Sequence, residues 1–160
     1  MKVVLTAPGW PPAAFANGIV TYVGLLREGL TKLGVESRIL AGRVVAPMLD
    51  PTVADLSRGD DKWVRIQKLR DRSLWRLHPR DFATYHGARS VLNGLRTLRP
   101  EFVPDIVEME ESFGSAALVA RRSGAPVVTR LHGPWFLNGA ALGAPRDDAF
   151  RRRVAIEGKA

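Results

Sequence analysis

An apolar run, a proline-rich break, an amphipathic helix and a second apolar run follow one another at the start of the chain, and few folds accommodate that order. Val3, Val4 and Leu5 are continuous, as in a strand covered on both faces. Pro8, Pro11 and Pro12 then forbid regular structure. Asn17 can cap a helix with Gly18 behind it, and Ile19, Val23, Leu26, Leu30 and Leu33 recur at helical spacing on one face. Gly34 is a suitable stop. Val35, Ser37, Ile39 and Ala41 alternate against Glu36, Arg38 and Leu40, which reads as a second strand. Together these segments predict a βαβ unit.

The second half repeats the alternation. Residues 43–61 read as irregular, because Pro47, Pro51, Gly59 and Asp60 interrupt them, although Val44 and Val45 could open a short strand. The spacing of Val91, Leu95 and Leu98 predicts a helix from Tyr85 to Leu98. Asp105 to Met109 reads as a strand, and Ser115 to Arg122 as an alanine-rich helix closed by Gly124. Val127 to Leu131 reads as a strongly buried strand that His132, Gly133 and Pro134 end abruptly, and a last helix starts near Asp147. The expected architecture is α/β: a Rossmann-like open parallel sheet with helices on both faces. At 160 residues the chain has room for one such domain, spanning 1–160.

Composition narrows the chemistry. Cysteine is absent, which removes disulfides, thiolate metal sites and a cysteine nucleophile. No apolar run reaches the roughly 20 residues a spanning helix needs. The N-terminus lacks the long apolar core of a secretory signal, so a cytoplasmic location is expected.

In open parallel sheets ligands bind at the carboxyl ends of the strands, which selects three stretches. The first, Pro8 to Gly18, opens a helix whose free N–H groups favour an anion. It has neither a Walker loop nor a G-x-G-x-x-G pattern, so nicotinamide dinucleotides are disfavoured. Asn17 and Gly18 are its candidate binding residues, and a plain cap and turn is the alternative. The second stretch carries Glu108, Glu110 and Glu111. Alternation places Glu108 and Glu110 on one strand face with Glu111 at the exit, suited to sugar hydroxyls. Pairing with Arg121, Arg122 or Arg130 competes with that role, above all for Glu108. No second ligand cluster supports a metal. The third stretch delivers His132 to the sheet edge, with Gly133 permitting close approach. Histidine there can donate to an oxygen or carry a proton.

Charge concentrates elsewhere. Between Lys62 and Arg80 seven basic residues face Asp71 alone, most of the chain's net +8. At helical spacing Trp63, Ile66, Leu69, Leu74 and Leu77 share one broad face and Arg65, Lys68, Arg72 and Arg76 the opposite one. Such a helix could rest on an anionic membrane through Trp63, Arg65, Lys68, Arg72 and Arg76, or pack as an ordinary domain helix. None of the usual nucleic-acid modules is recognisable, so nucleic acid is not the expected partner.

Taken together the motifs resemble the N-terminal domain of GT-B glycosyltransferases, in particular the retaining family-4 enzymes. The residues that carry the resemblance are P-P-A-A-F-A-N-G-I-V-T-Y-V from Pro11, L-G-V-E from Leu33, P-D-I-V-E-M-E-E from Pro104, S-A-A-L-V-A-R-R-S-G-A-P-V-V from Ser115, and R-L-H-G-P from Arg130. Asn17 stands where the family has the first glycine of a pair. The resemblance implies that this is the acceptor-side half of an enzyme that moves a sugar from a nucleotide-diphosphate sugar to a glycan or lipid-linked acceptor. It implies a co-substrate and no cofactor. His132 would lie near the transferring sugar as the catalytic residue and Gly18 near the donor phosphate. The chain stops at Ala160, before the family's donor-binding domain. The expectation is therefore a domain that is incomplete at its C-terminus, leaves an open sheet edge, and is inactive until that partner domain is supplied. A non-catalytic α/β domain that binds acidic membrane or a protein through the basic segment is the other reading.

Overall fold

The computed structural model describes residues 1–45, 50–57, 82–111 and 114–158. Their strands form one five-stranded, all-parallel sheet: β1 (Lys2–Ala7), β2 (Glu36–Ala41), β3 (Val53–Asp55), β4 (Ile106–Glu110) and β5 (Val127–Arg130). The spatial order is β3-β2-β1-β4-β5. The helices are α1 (Gly18–Lys32), α2 (Phe82–Leu98), α3 (Ser115–Ser123), α4 (Trp135–Ala141) and α5 (Asp148–Glu157), with a 3-10 turn at Pro12–Ala14. This is the expected Rossmann-like α/β arrangement.

β1 sits in the middle, hydrogen-bonded in parallel to β2 on one side and β4 on the other. That position explains its unbroken apolar run, because both of its faces are covered. Val3, Leu5, Ile39 and Ala41 pack with Val20 and Val23 of α1. Val4, Leu40, Val107 and Met109 point the other way, onto Ala88, Val91, Leu92 and Leu95 of α2 and Ala116 and Val119 of α3. Val20, Val23 and Val119 are fully buried, each stabilising by roughly 1.5–3 kcal/mol. The strand order reverses between β1 and β4, so the crevice at their carboxyl ends is the topological switch point.

Several expectations change. Leu33 is 78% exposed, because it is the C-cap residue and lies beyond the last turn that faces the sheet. Val127 to Leu131 is not a fully buried strand. Its regular part ends at Arg130, β5 is an edge strand of the described sheet, and Val128 is 51% exposed. Residues 43–61 are not wholly irregular, since β3 pairs in parallel with β2 through Ile39–Val53, Leu40–Ala54 and Ala41–Asp55. Val44 makes only an isolated bridge, to Trp10. The stretch after Pro134 is helical: α4 packs against α5, with the Trp135 and Phe150 rings 6.4 Å apart. Glu157 accepts the Trp135 N–H at 2.5 Å and supplies an N-terminal acceptor to α4 from a distant part of the chain.

Candidate functional site

At the carboxyl end of β1 the chain passes through the proline turn and enters α1. Asn17 is the N-cap, in extended conformation, and its Oδ1 accepts the Ile19 N–H at 2.8 Å. This satisfies one of the free donors at the helix start. Gly18 follows, exposed to solvent, and a Cβ there would meet nothing within 4 Å. Neither packing nor a left-handed backbone demands glycine at that position.

β4 and β5 bring the acidic and basic residues together. Their register sets Glu110 opposite Arg130, with Glu108 two residues back on the same face of β4. Glu110 is half-buried at the strand end. Glu108 is buried and pairs with Arg130 Nη1, both side chains being 9% exposed. Burial pushes the Glu108 carboxyl above the usual range, and Arg130 offsets only part of that rise. Glu108 therefore does not face an open cleft; its partner is Arg130, one of the three arginines weighed from sequence.

Glu111 is also buried rather than open, because it holds the turn after β5. Its backbone N–H donates to the Arg130 carbonyl at 3.2 Å, and both its carboxylate oxygens lie 3.0 Å from the His132 N–H. The carboxylate thus continues the parallel ladder by one position with a charge-assisted bond. Gly133 has φ +118, a conformation open to glycine, and a Cβ there would come within 2.5 Å of Asn138 Nδ2. The close approach it permits is made by the chain itself, since Asn138 donates to the Gly133 carbonyl at 2.7 Å.

The imidazole of His132 is solvent-accessible and bounded by three groups. Arg130 Nε donates to its Nε2. Tyr22, one turn after Gly18 on α1, meets it edge-on with centroids 5.7 Å apart. Glu111 holds its backbone. Burial of the ring lowers its pKa, repulsion from Arg130 adds to that, and Glu111 opposes it. The Arg130 guanidinium also lies 4.4 Å from the Tyr22 ring centroid. The first turns of α1 and the His132 turn are therefore adjacent at the carboxyl edge of the sheet.

Arg130 and Tyr22 were not among the functional residues expected from sequence. Arg130 had a readable signal: it stands two residues before His132, the spacing that puts Glu108 and Glu110 on one strand face. Tyr22 had none short of knowing which way α1 is rotated. Trp63, Arg65, Lys68, Arg72 and Arg76 lie outside the described residues. Among the described residues no group of His, Asp and Glu is arranged to hold a metal ion, and no helix is long and apolar enough to cross a membrane.

A polar edge of this kind can offer hydrogen-bond donors from His132 and from the start of α1 to a hydroxylated or anionic ligand. A family model described as a glycosyl transferase 4-like domain matches residues 17–159. No curated protein matches the chain.

Proposed function

The chain belongs to the glycosyl transferase 4-like family, and on that premise we propose that it forms the acceptor-side domain of a retaining sugar transferase. The donor is a nucleotide-diphosphate sugar and the acceptor a glycan or a lipid-linked sugar. A donor-binding domain completes the cleft. His132 faces the transferring sugar, Gly18 and Asn17 approach the donor phosphate, and Glu110 lies within reach of acceptor hydroxyls. The observation that carries this reading is the contact of Tyr22 with His132, because it brings the first turns of a helix that starts at the switch point beside a histidine at the carboxyl end of the neighbouring β5. Transfer of this type proceeds through an oxocarbenium-like state, so positioned donors supply most of what the domain contributes.

The test is a titration of the isotopically labelled protein with uridine and guanosine diphosphate sugars and with a panel of glycan and lipid-linked acceptors. Amide signals of Asn17 to Thr21, Glu110 to Glu111 and His132 to Trp135 are expected to move together. Movement confined to other regions, or none across the whole panel, rejects the assignment.

The charge concentrated between Lys62 and Arg80 favours a second role for the same domain, attachment to the anionic face of a membrane in the cytoplasm. Sedimentation with phosphatidylserine vesicles is expected to fall with added salt and to vanish when Arg65, Lys68, Arg72 and Arg76 are changed to Glu. Equal indifference to anionic and neutral vesicles at low salt rejects it.

A further inference from the structure

One ring nitrogen of His132 is committed by its neighbour. Nε2 meets the Nε–H of Arg130. A guanidinium is a donor only and keeps its charge throughout the range in which proteins fold. Nε2 must therefore present its lone pair, and the neutral ring carries its proton on Nδ1. A second proton on Nε2 would set two N–H groups against each other beside a like charge. Arg130 is not free to swing aside. Glu108 accepts from its Nη1, and Tyr22 lies against the guanidinium. Among the described residues nothing accepts from Nδ1.

We propose, resting on the reading that His132 faces the transferring sugar, that Arg130 is a positioning residue that fixes His132 as the neutral Nδ1–H tautomer. The histidine then acts as a hydrogen-bond donor to a sugar oxygen and not as a proton carrier. Tyr22 from α1 and Arg130 from β5 face the ring, and the Glu111 carboxylate from the exit of β4 lies beside it on the His132 backbone N–H. Of the charged pair among them, Arg130 disfavours a second proton and Glu111 favours one, with burial on the side of Arg130. The chain thus sacrifices the histidine's usual switching range and keeps a donor whose direction does not change with pH near neutrality.

Long-range proton–nitrogen correlation spectra of the labelled full chain, recorded across pH, test this. His132 is assigned by the loss of its signals in His132→Gln. The wild type is expected to show the neutral Nδ1–H pattern and a titration midpoint below that of free histidine. In the double variant Glu108→Gln with Arg130→Gln, which leaves no buried carboxylate unpaired, the midpoint is expected to rise and the Nε2–H form to appear. In Arg130→Lys the charge remains but the planar fork is lost, so the midpoint is expected to stay low while both tautomers populate. An Nε2–H pattern in the wild type overturns the proposal without any variant, as does an unchanged tautomer and midpoint in a folded double variant. Added sugar nucleotide and acceptor separate the two levels. If the tautomer is as expected but no such ligand moves the imidazole signals, the sugar site fails and the role of Arg130 stands. If ligands move them but the variants change neither tautomer nor midpoint, the sugar site stands and the role of Arg130 fails.

Discussion

Tyr22 meets His132 edge-on, with ring centroids 5.7 Å apart and ring planes at 86°, and this contact joins the start of α1 to the turn after β5. The same tyrosine lies under the Arg130 guanidinium at 4.4 Å. One side chain thus buttresses both members of the Arg130–His132 pair. Tyr22→Ala is predicted to cost about 1–2 kcal/mol, the sum expected of an aromatic pair and a partly exposed cation–π contact. Tyr22→Phe is predicted to be near neutral, because the ring and not the hydroxyl makes both contacts. Urea unfolding midpoints at unchanged slope check both, and equal losses in the two variants contradict the ring-based account.

The Glu108–Arg130 pair gives a pH signature. Burial raises the Glu108 carboxyl above its ordinary value and Arg130 pulls it partly back. An acid with a raised folded-state value binds its proton more tightly when folded. Its contribution is therefore most favourable below its unfolded-state value and is lost as pH rises through the folded-state value. Arg130→Met removes the partner and extends that loss upward in pH. It is predicted to destabilise by about 3–5 kcal/mol near neutrality, where an unpaired carboxylate stays buried, and by less in acid, where Glu108 is protonated. Adding Glu108→Gln to Arg130→Met is predicted to abolish the difference between the two conditions. Denaturant unfolding at both pH values, with all three proteins, decides it.

Much of the fold was legible because it depends on local rules. Pro8 to Pro12, the Asn17 cap, Gly34 and the unbroken Val3–Leu5 run announce β1, α1 and β2, and Gly124 closes α3 as expected, in the left-handed conformation. What was hidden depends on neighbours. Val53–Asp55 is too short to carry a period and is a strand only because β2 pairs with it. α4 receives its N-terminal acceptor from Glu157. Val127 and Val128 read as a buried strand, yet apolarity in sequence does not reveal that β5 lies at the edge of the described sheet. At the site, strand alternation placed Glu108 and Glu110 correctly on one face. It could not show that Glu111 would turn inward to hold the His132 amide, since that requires the offset of β5 against β4.

A second charged contact fastens α1 to the segment that leads into β3. Arg27 pairs with Asp50 at 2.8 Å and donates to Thr52 Oγ1 at 2.7 Å. Burial alone would raise the Asp50 carboxyl, but its hydrogen bonds with Arg27 and Thr52 outweigh burial and hold it below the ordinary value. A depressed acid contributes stability above its unfolded-state value and loses it as pH falls through the folded-state value. Both side chains are about one-quarter exposed, so solvent screening limits the pair to about 1 kcal/mol or less. Arg27→Gln is predicted to cost that much at neutral pH and almost nothing in strong acid. A constant cost across pH points instead to the lost contact of the Arg27 guanidinium with the Trp10 ring, whose centroid lies 5.8 Å away.

Gly18 and Gly133 flank the proposed sugar site and are predicted to respond oppositely to alanine. At Gly133 the backbone lies at φ +118 and the space for a Cβ is filled by Asn138, so Gly133→Ala has to strain the backbone and displace that side chain. A loss of about 1–3 kcal/mol is expected, together with displaced His132 amide signals. At Gly18 a Cβ would meet nothing within 4 Å, and the residue opens a helix. Gly18→Ala is therefore expected to leave stability unchanged or to raise it by about 0.4–1 kcal/mol, because alanine restricts the unfolded chain and suits helical backbone. If the fold does not require glycine there, close approach of a ligand remains the reason for it. Gly18→Ala should then weaken binding of the nucleotide-diphosphate sugar in the titration above while its unfolding midpoint holds or rises. A stable Gly18→Ala protein that binds as the parent does shows that nothing comes close to this position, and the phosphate assignment is lost while that of His132 is untouched.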